Sequence, residues 1–361
     1  TISNVQSDVT CTITLDEDGI TLAQAMLRDN TTIKERTDFS VANTETTTGT
    51  LYKTNKTEDG SEVYYYSGNT TNNWVKFGGF YWRIIRTNED ESVRMLYSGT
   101  SHDTTSGHIG ISRFNGGYAD PMYVGYMYGT SGTLESNRTN TYDSTIKKTI
   151  DTWYGNNLLN NYDKYISKSA IYCNDRSVGY GYYSTSKTAS GEFEYASYTR
   201  LSTNKIPSYK CGANIDNGLF LTSNNADKFS ASTVGGGNGQ LKYPIALMTM
   251  DEISFAGGVI GINLSSPYAW FYTNSMGNSI LYMTSEDYDN YWCTMSPARW
   301  YRGKNSYWVI GGNDRPGRPM YESGVGYSGV RPVISLSSCV KIKSGIGTPD
   351  SPYEIDESSC S

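Results

Sequence analysis

Apolar and polar positions are ordered most clearly between residues 63 and 97. Aromatic and β-branched runs fall at 63–66, 74–77, 80–86 and 93–97, with Gly78-Gly79 and a polar turn at 88–92 dividing the last three, and this predicts an antiparallel meander. Helical spacing appears in three places. Residues 21–28 put Leu22, Ala25 and Met26 on one face. A longer helix capped by Asp143 carries Ile146, Ile150, Trp153 and Leu158 at i, i+4, i+7 and i+12, with 159–166 continuing it after a break near Gly155. The third follows a short buried strand at 243–248: Thr249 and Glu252 form a capping box, Ile253, Phe255 and Ala256 face inward, and Gly257-Gly258 stop it.

The rest is less regular. Residues 1–15 read as an opening strand, 16–19 as an acidic turn, 30–60 as a polar surface excursion or junction, and the stretch up to Asn140 as Gly- and Tyr-rich loop. Residues 170–239 read mostly as loop with 235–239 as its flexible end, and 268–272 and 279–283 as short strands or loop. Residues 330–336 close the body as a strand whose Pro332 belongs at an edge or a first position. Strands and helices together predict an α+β chain. Its divisions are an N-terminal segment or small subdomain at 1–60, a main ligand-binding domain at 61–338 and a tail at 339–361.

One stretch fits neither period. Residues 288–333 hold three Trp, six Tyr and five Arg among Gly, Asn, Asp and Ser, a vocabulary suited to recognition because rigid amphipathic rings and planar guanidinium donors sit beside adaptable polar residues. A Tyr-rich surface of a secreted β-protein is the plain alternative.

Composition narrows the class. With 37% apolar residues but 32 Tyr, the core must be finished by amphipathic aromatics. A net charge of −6 without a Lys/Arg run argues against nucleic acid as a partner. No apolar run is long enough to span a bilayer, and the start at Thr1 leaves room for an export signal or anchor upstream of residue 1. Six scattered Cys without CxxC suit an oxidising, extracellular compartment. Cys173 with Cys211 and Cys339 with Cys360 are the expected bridges, each closing a modest loop; Cys11 and Cys293 either pair or leave Cys293 a free thiol.

WRIIR at 82–86, LMTMDEISFAGG at 247–258, WCTMSP at 292–297 and GVRPVISL at 329–336 resemble bacterial surface proteins with a C-type-lectin-like, formylglycine-generating-enzyme-like fold. A VRPV-type strand behind an aromatic, Gly-rich segment is also similar to the variable proteins of diversity-generating retroelements. That resemblance implies short antiparallel strands, two or more helices, abundant irregular loop, and a variable region at 285–330. It implies ligand contacts at Tyr288, Asp289, Asn290, Arg299, Trp300, Tyr301, Arg302, Asn305, Tyr307, Asn313, Asp314, Arg315, Arg318 and Tyr321. Trp292, Met295, Pro297, Trp308 and Val309 would be scaffold.

Catalytic chemistry finds little support. Gly324-x-Gly326-x-x-Gly329 precedes a strand instead of opening a helix, so its glycines read as turn residues. Calcium-binding EPN and WND motifs are missing, no Cys pair matches the copper pair of formylglycine-generating enzymes, and His102 and His108 read as surface residues. No cofactor and no catalytic residue is expected. The sequence therefore predicts a cell-surface binding protein for a protein or glycan ligand on another cell or phage. The alternatives are a structural, pilus-like adhesin subunit or a cell-wall-acting hydrolase.

Overall fold

The computed structural model describes residues 19–117, 121–127, 140–181, 192–212, 227–232, 239–282, 290–312 and 314–360. The expected opening strand at 1–15, most of the acidic turn, Cys11, Tyr288, Asp289, Asn313, and most of the flexible end at 235–239 lie outside them. The chain is mostly β, with 34% strand against 14% helix in three mixed sheets, so the α+β expectation is corrected. The cause is visible in the regions read as loop, which hold short strands that only distant partners stabilise.

The expected meander forms. Trp74–Phe77, Phe80–Thr87 and Val93–Tyr97 pair antiparallel, with Phe77 opposite Phe80 across Gly78 and Gly79, whose φ values of 64° and 82° are those a tight hairpin requires. Phe80–Thr87 also bonds Val63–Tyr65, and that strand bonds Thr50–Thr54, which lies parallel to Thr32–Glu35. Within the expected excursion, Thr32–Glu35 and Thr50–Thr54 are thus one margin of a ten-stranded sheet, and residues 36–49 connect them. At the other margin Tyr353–Ile355 runs parallel to Trp74–Phe77 and carries Ile342–Ser344, so the tail also joins this sheet. Pro332 takes the first position of Pro332–Leu336, where its missing N–H costs no ladder bond, and that strand lies between Val93–Tyr97 and Ala246–Leu247.

The helices form where spacing placed them. Leu22–Asp29 is capped reciprocally by Thr21 and Gln24 and buries Leu22, Ala25 and Met26. Thr145–Asn157 is capped by Ser144 and not by Asp143, which instead pairs with Lys147 at 2.9 Å. Met250–Phe255 has the expected Thr249–Glu252 box. Residues 159–166 give only a short 3-10 turn, Asp163–Tyr165. Residues 170–239, read as loop, contribute Tyr172–Cys173, Val178–Gly181, Phe193–Tyr195, Lys228–Ser230 and Gly239–Gln240.

One large apolar core joins Leu22 and Met26 to the meander, the 145–157 helix, the 291–310 strands and the tail's Val340 and Tyr353. Two buried arginines sit in it without a carboxylate. Arg83 donates to Asn73 Oδ1 and to the carbonyls of Thr70 and Thr273 beneath the Trp74 ring, and Arg331 donates to the carbonyls of Tyr97, Gly107 and Phe271. The bridges Cys173–Cys211 and Cys339–Cys360 are both present, while Cys293 is a buried free thiol.

Candidate functional site

The ring-rich stretch is built into a seven-stranded sheet. Tyr291–Tyr301 and Lys304–Gly311 form an antiparallel hairpin, followed by Pro319–Ser323 on its outer side. The hairpin closes on Arg302-Gly303, with φ of 49° and 73°, the two positive values of a type I′ turn. Arg at the first of these positions is uncommon, since a Cβ there crowds the backbone. On the inner side, Phe193–Tyr195 pairs with residues 299–300 and Val178–Gly181 pairs with it in turn.

Alternation, not read from the sequence, governs the hairpin end. Trp300, Asn305 and Tyr307 are buried, while Arg299, Tyr301 and Ser306 are half-buried and Arg302 and Lys304 exposed. Trp300 is 2% and Tyr307 1% exposed, and the Tyr307 ring lies 4.6 Å from Phe114. Burial pushes the Tyr307 hydroxyl far above its ordinary pKa. Trp300, Asn305 and Tyr307 are therefore corrected from ligand contacts to core, because side chains closed to solvent cannot meet a ligand without opening the sheet.

The opposite face carries a different set. Tyr180, Glu194, Arg299, Ser306 and Ser323 stand in register across five strands. The Arg299 guanidinium lies 4.2 Å from the Tyr321 ring and 4.6 Å from the Tyr301 ring, and Arg302 sits 5.1 Å from the Tyr301 ring. Tyr321 meets Tyr198 at 5.9 Å and Trp308 at 5.8 Å, and Tyr198 stacks on Trp308 at 5.4 Å. Over the buried Trp308, the half-buried Tyr198, Arg299, Tyr301 and Tyr321 thus form a connected face of the sheet, fit for cation–π, stacking and planar hydrogen-bond contacts.

Other expected contacts are dispersed. Asp314 and Arg315 are exposed and 3.7 Å apart, and Asn290 and Arg318 are half-buried. The scaffold residues Trp292, Met295, Pro297, Trp308 and Val309 are all buried. Sequence reading missed Tyr180, Glu194 and Tyr198, which reach the face from strands and a helical turn far away in the chain. Tyr180, at 71% exposure, is the most open ring of the face, and no local signal marks it. His102 bonds Ser275 Oγ at 2.7 Å; both histidines are half-buried, and at His108 burial, then the nearby Arg331 charge, lowers the pKa.

Among the described residues no helix is long and apolar enough to cross a membrane, and no group of three or more His, Cys, Asp or Glu is arranged to hold a metal. Compared with protein-family models, curated proteins and solved structures, the chain finds no match.

Proposed function

We propose that the protein is an extracellular or cell-surface binding protein that presents the Arg299–Tyr301–Tyr321 face to a protein or glycan on another cell or phage. The observation that carries this reading is the split within the sheet, where Trp300 and Tyr307 are buried while Arg299, Tyr301 and Tyr321 stack on one another at the half-open face. Rigid aromatic anchors flanked by Arg give contact area at low entropy cost, the usual make-up of an energetic centre in an interface. The two disulfides support an oxidising compartment. The resemblance to retroelement variable proteins adds the proposal that residues 285–330 are diversified, with outward positions changing and inward ones held.

The test is capture of intact bacterial cells, phage particles and a glycan array by the wild-type chain and by a Arg299→Ala, Tyr301→Ala, Tyr321→Ala variant. The reading expects the variant to keep its melting temperature within a few degrees and lose the wild-type target. Equal capture by both chains would contradict it. A template repeat and a reverse-transcriptase gene beside the coding region are expected if diversification operates.

A further inference from the structure

The outer face of the 291–311 hairpin carries two guanidinium groups that no carboxylate meets. Arg299 and Arg302 lie 4.6 and 5.1 Å from the same Tyr301 ring, and Arg299 also meets Tyr321 at 4.2 Å. Among the described residues neither guanidinium makes a hydrogen bond or an ion pair. Several buried arginines behave otherwise: Arg94 and Arg86 share Glu252, Arg200 meets Asp251 and Arg176 meets Asp227. A guanidinium stacked on a ring uses its flat side and keeps its in-plane N–H donors for another group. Two positive groups against one ring also repel each other, and an anion meeting both relieves that repulsion.

The charge of the row points the same way. Glu194 stands opposite Arg299 in register, yet its Oε2 accepts from Thr199 Oγ1 at 3.2 Å and does not pair with the arginine. Arg299, Arg302 and Lys304 thus face Glu194, a positive patch on a chain of net charge −6. Ser306 and Ser323 continue the row with hydroxyl groups. A protein interface of ordinary size takes about 800 Å² from each partner around a largely apolar centre. This face is poorer in open apolar surface, since Tyr198, Tyr301 and Tyr321 are half-buried and only Tyr180 among its rings stands open. Half-open rings beside hydroxyls suit a sugar, whose C–H side packs on an aromatic ring while its own hydroxyls take polar partners.

Resting on the reading of this face as the ligand surface, we propose that its ligand is a glycan carrying a carboxylated sugar, a sialic or a uronic acid. The carboxylate accepts from the in-plane donors of Arg299 and Arg302, and the sugar ring packs beside Tyr301. Titration calorimetry of the full chain with sialyllactose, a hyaluronan oligosaccharide, lactose and an oligoglutamate peptide tests it. Saturable binding of sialyllactose or hyaluronan is expected, weakening as salt is raised, with lactose silent and the peptide weaker; whichever acid binds identifies the sugar. Arg299→Gln and Arg302→Gln should each weaken that binding about tenfold with an unchanged melting temperature. Lys343→Gln, which removes the same charge at an exposed site on the other sheet, should leave it unaltered. Failure of both acidic glycans at millimolar concentration, equal binding of lactose, tighter binding of the peptide, or an equal loss in Lys343→Gln would each overturn the proposal. The underlying reading is judged apart, by the triple variant at Arg299, Tyr301 and Tyr321. A neutral glycan or protein captured by the wild type and lost by that variant keeps the face and discards the carboxylate, whereas capture indifferent to it discards both.

Discussion

At the 299–307 end of the hairpin the two rows share a backbone and a sheet, yet their side chains meet opposite fates. Trp300, Asn305 and Tyr307 are sealed against the core, whereas Arg299, Tyr301 and Ser306 stand half-open over the other face. Strand geometry alone makes the difference, because successive side chains point to opposite sides. A one-residue slip would bury the arginine and expose the tryptophan, so the inner row fixes register as well as stability. This division lets one face change its contacts while the other keeps the fold.

The largest contrast expected is between neighbours. Trp300→Ala should cost about 3–5 kcal/mol, as large-to-small core changes do, seen as a drop in the urea midpoint. If Trp300→Ala unfolded at the wild-type midpoint, the inner row would not be core. Reducing Cys173–Cys211 and Cys339–Cys360 should cost about 2–4 kcal/mol per bridge. Both bridges lie outside the hairpin, so denaturation in reductant should lower every variant alike and preserve the contrast. Arg302→Asn should stabilise by about 0.5–1 kcal/mol, since Asn tolerates the left-handed region better than Arg. An unchanged or lower midpoint would indicate that Arg302 is held by contacts and not strained. Arg299→Ala and Tyr301→Ala should stay within about 0.5 kcal/mol of wild type.

Acid gives a further cut through the same comparison. His108 has a lowered pKa in the fold because burial and Arg331 disfavour its cation. The unfolded chain then binds more protons, so the stability that neutral His108 supports is complete above about pH 6.5 and is lost as pH falls through its folded pKa. His108→Phe should flatten the slope of unfolding free energy in that window, and Tyr301→Ala should leave it unaltered. An unchanged slope in His108→Phe would assign the acid sensitivity elsewhere.

Much of the frame was legible in the chain. Gly78-Gly79 between aromatic runs specified a hairpin, Thr249 with Glu252 marked a helix start, and the Cys spacings suggested both bridges, whereas the Thr21–Gln24 box went unread. The hairpin at 291–311 was not, because 291–298 and 307–311 are buried on both faces and carry no alternation, and at 299–306 Tyr and Trp count as apolar or polar depending on which end is wet. Nor could residues 32–54 be placed, since Thr32–Glu35 is exposed throughout and gains its place only by pairing with Thr50–Thr54. Ser144 displaced Asp143 as a cap by one residue, leaving the aspartate to Lys147. The outer face was half visible: Arg299, Tyr301 and Tyr321 lie in the stretch singled out, but Tyr180 and Glu194 arrive through long-range strand pairing.

The most direct measurement is a saturation library over residues 299–307, sorted for folded surface display and sequenced. Free substitution is expected at Arg299, Tyr301, Arg302, Lys304 and Ser306, with Trp300, Asn305 and Tyr307 confined to a few replacements of similar size. Equal tolerance along all nine positions, or freedom at Trp300 and Tyr307 with restriction at Arg299 and Tyr301, would contradict that division.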